Sequence, residues 1–218
     1  MVQDVGESSR TLPLSVSMLA QFVRQNYIDI KPMVSVKLIQ PMTLADPFIN
    51  YLNYSVPLAL AINTEKARSA MIIAPMLVEV KRLLHDQVSL FSGIEFNVDP
   101  EQDLTGFCDF IISLSRQQLY ISAPAFIGVE AKNENIKGGL GQCLAAMVAA
   151  RLFDEREGQA IEPVYGAVTT GNQWKFLSLQ DNVAYIDRKD YYIDRVADIM
   201  GVLVGMVQPP LAVNGISS

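Results

Sequence analysis

Two apolar segments decide the fold of this chain: GFCDFII at residues 106–112 and FIGVEAK at residues 126–132. Side chains alternate along a strand, and the first segment is apolar on both faces apart from Asp109. Such a strand is typical of a central, buried position in a sheet. Glu130 and Lys132 share one face of the second segment. The pattern therefore predicts ionisable side chains within a buried sheet.

These ionisable side chains need partners, because an unpaired buried charge is costly. Lys132 could neutralise Asp109 or Glu130 in an internal charge cluster that binds nothing. The three groups together carry a net negative charge, which a hard, oxygen-liking cation such as Mg²⁺ would compensate. Waters on such a cation can become nucleophiles. The residues thus predict a divalent-metal site and leave the structural cluster open.

The remaining apolar patterns predict an α/β class protein with a central mixed sheet and helices on both faces. The predicted strands are residues 34–38, 88–98, 107–114, 119–130, 164–169, 174–179 and 183–187. The predicted helices are residues 15–24, 43–53, 65–86, 138–153 and 191–207. Asn63 and Thr64 are suitable N-caps for the third helix, and Pro75 predicts a kink in it.

The length and composition predict one full domain with an appendage. The chain has 218 residues, of which 50% are hydrophobic, so it can bury a sizeable core. We expect residues 1–60 to form an N-terminal helical extension or cap. Residues 61–218 would then form the core, which a C-terminal helix closes.

Charge and hydropathy exclude several classes of protein. The net charge of −6 argues against a nucleic-acid binder that works by bulk positive charge, although a local basic groove stays open. Cys108 and Cys143 lie in apolar runs and are predicted to be reduced core residues. The apolar run at residues 199–207 is shorter than the roughly 20 residues that cross a bilayer. The acidic N-terminus does not resemble a signal peptide, so we expect no membrane partner and a cytoplasmic location.

The spacing of the charged residues adds a family resemblance. Asp109, followed about twenty residues later by Glu130-Ala131-Lys132, resembles the signature of the PD-(D/E)XK nuclease superfamily. That superfamily has the restriction-endonuclease-like fold, and the resemblance covers roughly residues 63–180. Cys108 departs from the motif, in which a proline precedes the aspartate.

The resemblance implies a metal site for Mg²⁺ or Mn²⁺. Asp109 and Glu130 would be its direct ligands, and the main-chain carbonyl of Ala131 would complete it. Glu65 matches the acidic residue of the superfamily's first core helix and would bind the metal directly or through water. A glutamate in a first helical turn is also favoured by the helix dipole alone, so a structural role for Glu65 stays open.

Two further residues receive roles from the resemblance. Lys132 would position the attacking water and offset charge on the scissile phosphate. Gln142, ten residues beyond Lys132, matches a glutamine that many members carry, and it would orient water or contact phosphate. Alternatively, Gln142 satisfies backbone groups at the start of its helix.

Two functions follow from these residues. The first is a Mg²⁺-dependent nuclease that hydrolyses phosphodiester bonds of nucleic acid, with DNA as the expected substrate. The apolar C-terminal helix and the resemblance to this class of enzyme also suggest a homodimer. The alternative is a catalytically silent nuclease-like fold that acts as a protein- or nucleic-acid-binding module, which the acidic composition favours.

Overall fold

One mixed sheet with helices on both faces forms the body of the protein. The computed structural model describes Val23 and residues 28–35, 40–102 and 104–207. The strands are β1 (Asp29–Met33), β2 (Ser89–Glu95), β3 (Phe107–Ser113), β4 (Ala125–Ala131), β5 (Val164–Thr169), β6 (Gln173–Gln180), β7 (Val183–Asp187) and β8 (Tyr191–Tyr192). The helices are α1 (Asp46–Ile62), α2 (Glu65–Arg68), a π-helical segment (Ser69–Ile73), α3 (Ala74–Leu83), α4 (Ile136–Arg156) and α5 (Val196–Val207).

The strand order is β1-β7-β6-β5-β4-β3-β2, and β8 pairs with β6. β1 runs parallel to β7 and β4 runs parallel to β5, whereas the other described pairs are antiparallel. A parallel pair needs a crossover connection, and α4 supplies it between β4 and β5. The predicted α/β class with a mixed central sheet and flanking helices is confirmed.

Alternating side chains on the central strands divide between two hydrophobic clusters. On β3, Phe110 packs in the cluster that contains residues of α1, α3 and α5, whereas Ile111 packs in the cluster that contains residues of α4. Ala167 and Val168 divide in the same way on β5. The central strands are therefore apolar on both faces, as a sheet covered on both sides requires.

The helical region from Glu65 to Leu83 begins after one of the predicted caps. A π-helical segment interrupts it shortly before Pro75, where a kink was predicted. Thr64 is the N-cap of α2, and its Oγ1 accepts a hydrogen bond from the Ala67 N–H at 3.1 Å. Asn63 instead ends α1, in a left-handed conformation with φ 52°. Pro75 lies in the first turn of α3, directly after the π-helical segment. Because proline has no N–H, it cannot continue the regular i→i−4 ladder there.

Two strand predictions are wrong at their boundaries. Residues 34 and 35 lie outside any strand, and residues 36–39 lie outside the described chain; the strand of this region is β1. The strand predicted at residues 119–130 begins only at Ala125. Pro124, which precedes it, has no N–H with which to extend the ladder.

The helix predictions also need corrections. The helix predicted at residues 191–207 begins at Val196, because Tyr191 and Tyr192 pair with β6 as strand β8. The helix predicted at residues 43–53 begins at Asp46 and continues to Ile62. The one predicted at residues 15–24 lies outside the described residues, apart from Val23.

The predicted N-terminal extension contributes two described elements to the main body. β1 pairs with β7 at one end of the sheet. Leu52 and Ala59 of α1 pack in the same hydrophobic cluster as α3 and α5. The domain boundary near residue 60 stays a prediction.

The most apolar helix, α5, packs against the body of the protein. It has 12 residues, and its apolar side chains are mostly buried in the cluster shared with α1 and α3. Across residues 28–35, 40–102 and 104–207, no helix combines the length and the hydropathy that a membrane span needs.

Both cysteines are free and buried, as predicted. Cys143 packs with Met147 in the cluster under α4, and Cys108 belongs to the same cluster. Burial raises the pKa of the Cys108 thiol to about 12, and the nearby Glu130 and Asp109 charges add to this effect. The thiols are therefore protonated core side chains.

Candidate active site

The candidate site lies where β3 and β4 stop pairing. Their ladder ends with Phe110 opposite Val129. One residue further along, the Asp109 side chain takes the place of a main-chain acceptor, and its Oδ2 accepts the Ala131 N–H at 2.8 Å. The Asp109 carboxylate is thereby held beside the backbone that follows Glu130.

Glu130 is the most deeply buried ionisable group of this site. Its side chain is 1% exposed, and its Oε2 has no hydrogen-bond partner among the described residues. Burial raises the pKa of Glu130 to about 8; the charge of Asp109 and a side-chain hydrogen bond with Asp109 act in the same direction, whereas Lys132 opposes them. Burial and the neighbouring Asp109 charge thus favour the protonated form of Glu130.

Lys132 joins the carboxyl pair to helix α4. Its Nζ lies 3.5 Å from Glu130 Oε2 and donates a hydrogen bond to Gln142 Oε1 at 3.0 Å. The lysine side chain is 16% exposed. Lys132 thus contacts two other predicted site residues, Glu130 and Gln142.

A glycine on α4 makes this contact possible. A Cβ added at Gly139 would lie 2.5 Å from Val168 Cγ1 and 3.1 Å from Lys132 Cγ. Because real Cβ atoms do not approach so closely, only glycine lets α4 lie against β5 and the lysine stem here. Sequence reasoning missed this role of Gly139. A glycine inside a helical pattern often indicates close packing, so its position soon after Lys132 could have predicted the role.

A cleft of about 520 Å³ opens beside Asp109. Its lining residues come from α2, the π-helical segment, α3 and strands β2 to β4: Glu65, Lys66, Ser69, Ala70, Ala74, Ser92, Asp109, Phe110 and Ala131. Glu65 is solvent-exposed and faces the same cleft as Asp109. Glu65 and Asp109 thus share a cleft, but the lining of that cleft does not include Glu130, Lys132 or Gln142.

The neighbouring strand β2 has a glycine opposite Asp109. β2 pairs Ser92 with Phe110 and Ile94 with Cys108, so Gly93 lies opposite Asp109. Gly93 has φ 60°, and a Cβ added there would meet no atom within 4 Å. The positive φ at Gly93 favours glycine at this position of β2, a feature that sequence reasoning also missed.

The chemistry of these groups fits a hard cation. Mg²⁺ is typically held by one or two carboxylates and several waters, and Asp109 and Glu130 provide such a pair. Glu130 Oε2 has no hydrogen-bond partner in the described chain and only the Lys132 ammonium at 3.5 Å, so this oxygen retains capacity to bind a cation. No described group of three or more His, Cys, Asp or Glu side chains is close enough to cage a metal ion. Glu65 therefore does not join Asp109 and Glu130 as a third direct carboxylate, and a cation between those two would depend on water for further ligands.

Three comparisons test whether known proteins share these features. No family model, no curated protein and no solved structure matches this chain. The resemblance to the PD-(D/E)XK superfamily therefore stays a prediction from the residues.

Proposed function

We propose that this protein is a Mg²⁺-dependent nuclease that hydrolyses phosphodiester bonds of nucleic acid, with DNA as its expected substrate, on a restriction-endonuclease-like core. One observation carries the proposal: the Asp109 and Glu130 carboxyl groups interact where β3 and β4 separate, next to the Lys132 ammonium. Carboxylates that share a site are costly to keep ionised, and such arrangements are concentrated at functional sites.

In this proposal the carboxyl groups bind the metal and the lysine acts on the phosphate. Asp109 and Glu130 would hold Mg²⁺ or Mn²⁺, with the Ala131 carbonyl as a further ligand and Glu65 binding through water. A bound cation would supply a Lewis acid and a water of lowered pKa. Lys132 would offset charge that develops on the phosphate.

Gln142 positions the lysine in this scheme. Its Oε1 accepts a hydrogen bond from Lys132 Nζ, which fixes the ammonium beside the carboxyl pair. Because burial raises the pKa of Glu130, a metal ion competes with a proton for this side chain. Metal binding by the protein would therefore release protons and would strengthen as the pH rises.

A second candidate function is a nuclease-like fold that binds a partner without cleavage. The observation that favours it is charge: the chain carries a net charge of −6, and Lys66 is the only basic residue among the described residues that line the cleft. A cleft with little positive charge attracts a polyanion weakly.

The experiment compares the wild type with Lys132→Met, Asp109→Asn and a matched Lys137→Met variant. Lys137 is an exposed lysine on the first turn of α4, so its loss should change nothing. Cleavage of single-stranded, duplex and structured DNA and RNA is measured with Mg²⁺ and with Mn²⁺. We expect Lys132→Met to reduce cleavage about 100-fold or more.

Calorimetry on the same proteins separates the two candidates. We expect Asp109→Asn to lose metal binding as well as cleavage. A wild-type protein that binds neither metal and cleaves no substrate would falsify the nuclease proposal. Equal cleavage by wild type and Lys132→Met would remove the lysine from the mechanism.

A further inference from the structure

Arg68 is a buried cation close to the proposed site and without a counter-charge. It lies three residues after Glu65 at the end of α2, and it is 9% exposed. None of the salt bridges in the described chain includes it. Its Nε is buried and has no described hydrogen-bond partner. Burying a guanidinium without a counter-charge costs free energy, so its hydrogen bonds must compensate for the lost hydration.

Its two hydrogen bonds connect three parts of the chain. Nη1 donates to the Thr170 carbonyl at 2.9 Å, in the turn between β5 and β6. Nη2 donates to Asn63 Oδ1 at 2.7 Å, at the junction of α1 and α2. Asn63 Nδ2 in turn donates to Glu134 Oε1 at 3.2 Å, in the loop between β4 and α4.

The same turn also holds the main chain of Lys132. The Thr169 carbonyl accepts the Lys132 N–H at 2.7 Å. Thr169 Oγ1 accepts the Gly171 N–H at 2.8 Å within the turn. The same short turn therefore contacts Lys132 through Thr169 and Arg68 through Thr170. Gly171 has φ 77°, and a Cβ added there would lie 3.2 Å from Ile72 Cδ1 and 3.5 Å from Arg68 Cβ. The turn therefore packs directly on the helical region that contains Arg68.

From these contacts we infer that Arg68 is a positioning residue of the nuclease site: it holds the helix that carries Glu65 in a set position relative to the strand that carries Lys132. The inference rests on the proposed nuclease function and adds a residue that touches neither metal nor substrate. Arg68 contacts Thr170, and the adjacent Thr169 contacts Lys132, so the two sides of the site share one turn.

Arginine suits this task better than lysine. Its planar guanidinium donates in fixed, separate directions, and Arg68 uses two of them for acceptors on different segments. A lysine has a single ammonium on a flexible stem and cannot reproduce that geometry. A misplacement of about 1 Å in a catalytic group can cost about 100-fold in rate.

The test compares Arg68→Met, Arg68→Lys and Asn63→Gly with the wild type. Asn63→Gly removes one acceptor of Arg68 and retains the left-handed backbone at that position. Arg151→Met is the matched control, because Arg151 also donates to a main-chain carbonyl, that of Asp181 in the turn between β6 and β7. Each protein is assayed for kcat and KM with Mn²⁺ on a nucleic acid that the wild type cleaves.

A structural readout accompanies the kinetics. Hydrogen exchange at the Lys132 amide reports whether the turn still holds that strand, and thermal unfolding reports global stability. We expect both Arg68 variants to lose about 100-fold in kcat, with KM within about twofold and with faster Lys132 exchange. Asn63→Gly should lose less, and Arg151→Met should match the wild type in kcat and in Lys132 exchange.

Several results would overturn the inference. One is an Arg68→Lys protein that cleaves at the wild-type rate. Another is slower cleavage with unchanged Lys132 exchange, or an equal effect of Arg151→Met. If Arg68→Met does not fold, Arg68→Lys and Asn63→Gly decide the matter. A wild type that cleaves nothing would refute the nuclease proposal itself, and with it the positioning role. The wild-type assay therefore distinguishes failure of the nuclease proposal from failure of the positioning role alone.

Discussion

Asp154 gives a direct test of how burial controls ionisation in this fold. It lies near the end of α4 and is 0% exposed. Its Oδ1 accepts the Ala125 N–H at 2.8 Å, whereas Oδ2 has no hydrogen-bond partner in the described chain. Burial raises the pKa of Asp154 from 3.8 to about 7, and the hydrogen bond from Ala125 only partly opposes it.

The raised pKa makes ionisation of Asp154 unfavourable to the folded state. Below about pH 4 the carboxyl group is protonated in both folded and unfolded chains, so it costs nothing. Between about pH 4 and 7 the folded state alone retains the proton, and stability falls as the pH rises. Above about pH 7 the full cost is present. The gap between 3.8 and about 7 corresponds to at most about 4 kcal/mol.

The perturbation is Asp154→Asn, which retains an oxygen acceptor for the Ala125 N–H and cannot ionise. We expect the variant to exceed the wild type in unfolding free energy at pH 8, by up to about 4 kcal/mol. The difference should shrink to near zero at pH 4. Urea denaturation at half-unit steps from pH 4 to 8.5 measures it. Glu157→Gln, an exposed carboxylate just beyond α4, is the control and should follow the wild type.

One result would refute this reasoning. If the difference between Asp154→Asn and the wild type is the same at pH 4 and pH 8, ionisation of Asp154 does not act on stability. Comparison with the variant is essential, because Glu130 also has a raised pKa and adds its own decline to the wild-type profile. Only the difference between the two proteins isolates Asp154.

Two further predictions test the site and the helix that faces it. Asp109→Asn should lower the pKa of Glu130 below about 8, since it removes a neighbouring negative charge. An NMR titration of the Glu130 carboxyl carbon measures this pKa, and an unchanged value would contradict the interaction of the two carboxyl groups. Thr64→Ala should lower the unfolding free energy by about 1 kcal/mol, because the Ala67 N–H loses its cap; Thr64→Ser should restore most of it, and equal losses in both variants would exclude the cap as the cause.

Local patterns predicted much of the sheet, because strand alternation and turn residues act over short distances. The strand predicted at residues 183–187 agrees with β7, and that at residues 164–169 agrees with β5. The wrong boundaries arose where distant pairing overrides local pattern. Tyr191 and Tyr192 continue an apolar helical pattern, yet they pair with Gln173 and Trp174 of β6.

The ionisable residues of the site were predictable one by one, but their arrangement was not. Alternation placed Glu130 and Lys132 on one face of a buried strand, and in the structure Lys132 contacts both Glu130 and Gln142. The end of β3–β4 pairing at Asp109 depends on the register of two strands, which no single segment encodes. Arg68 gave no signal at all, because its partners Asn63 and Thr170 are defined only by the packed turn.

The amino-acid sequence by itself determined most of the segments that form strands and helices, and which of them carry charge into the core. Its alternation and turn residues are sufficient for that, since they act between neighbours in the chain. Only the tertiary structure decided which charges meet. The contacts of Asp109 with Ala131 and of Arg68 with Thr170 join residues 22 and 102 positions apart. Strand register and helix packing bring such distant groups within hydrogen-bond range, and the chemistry of the site follows from those meetings.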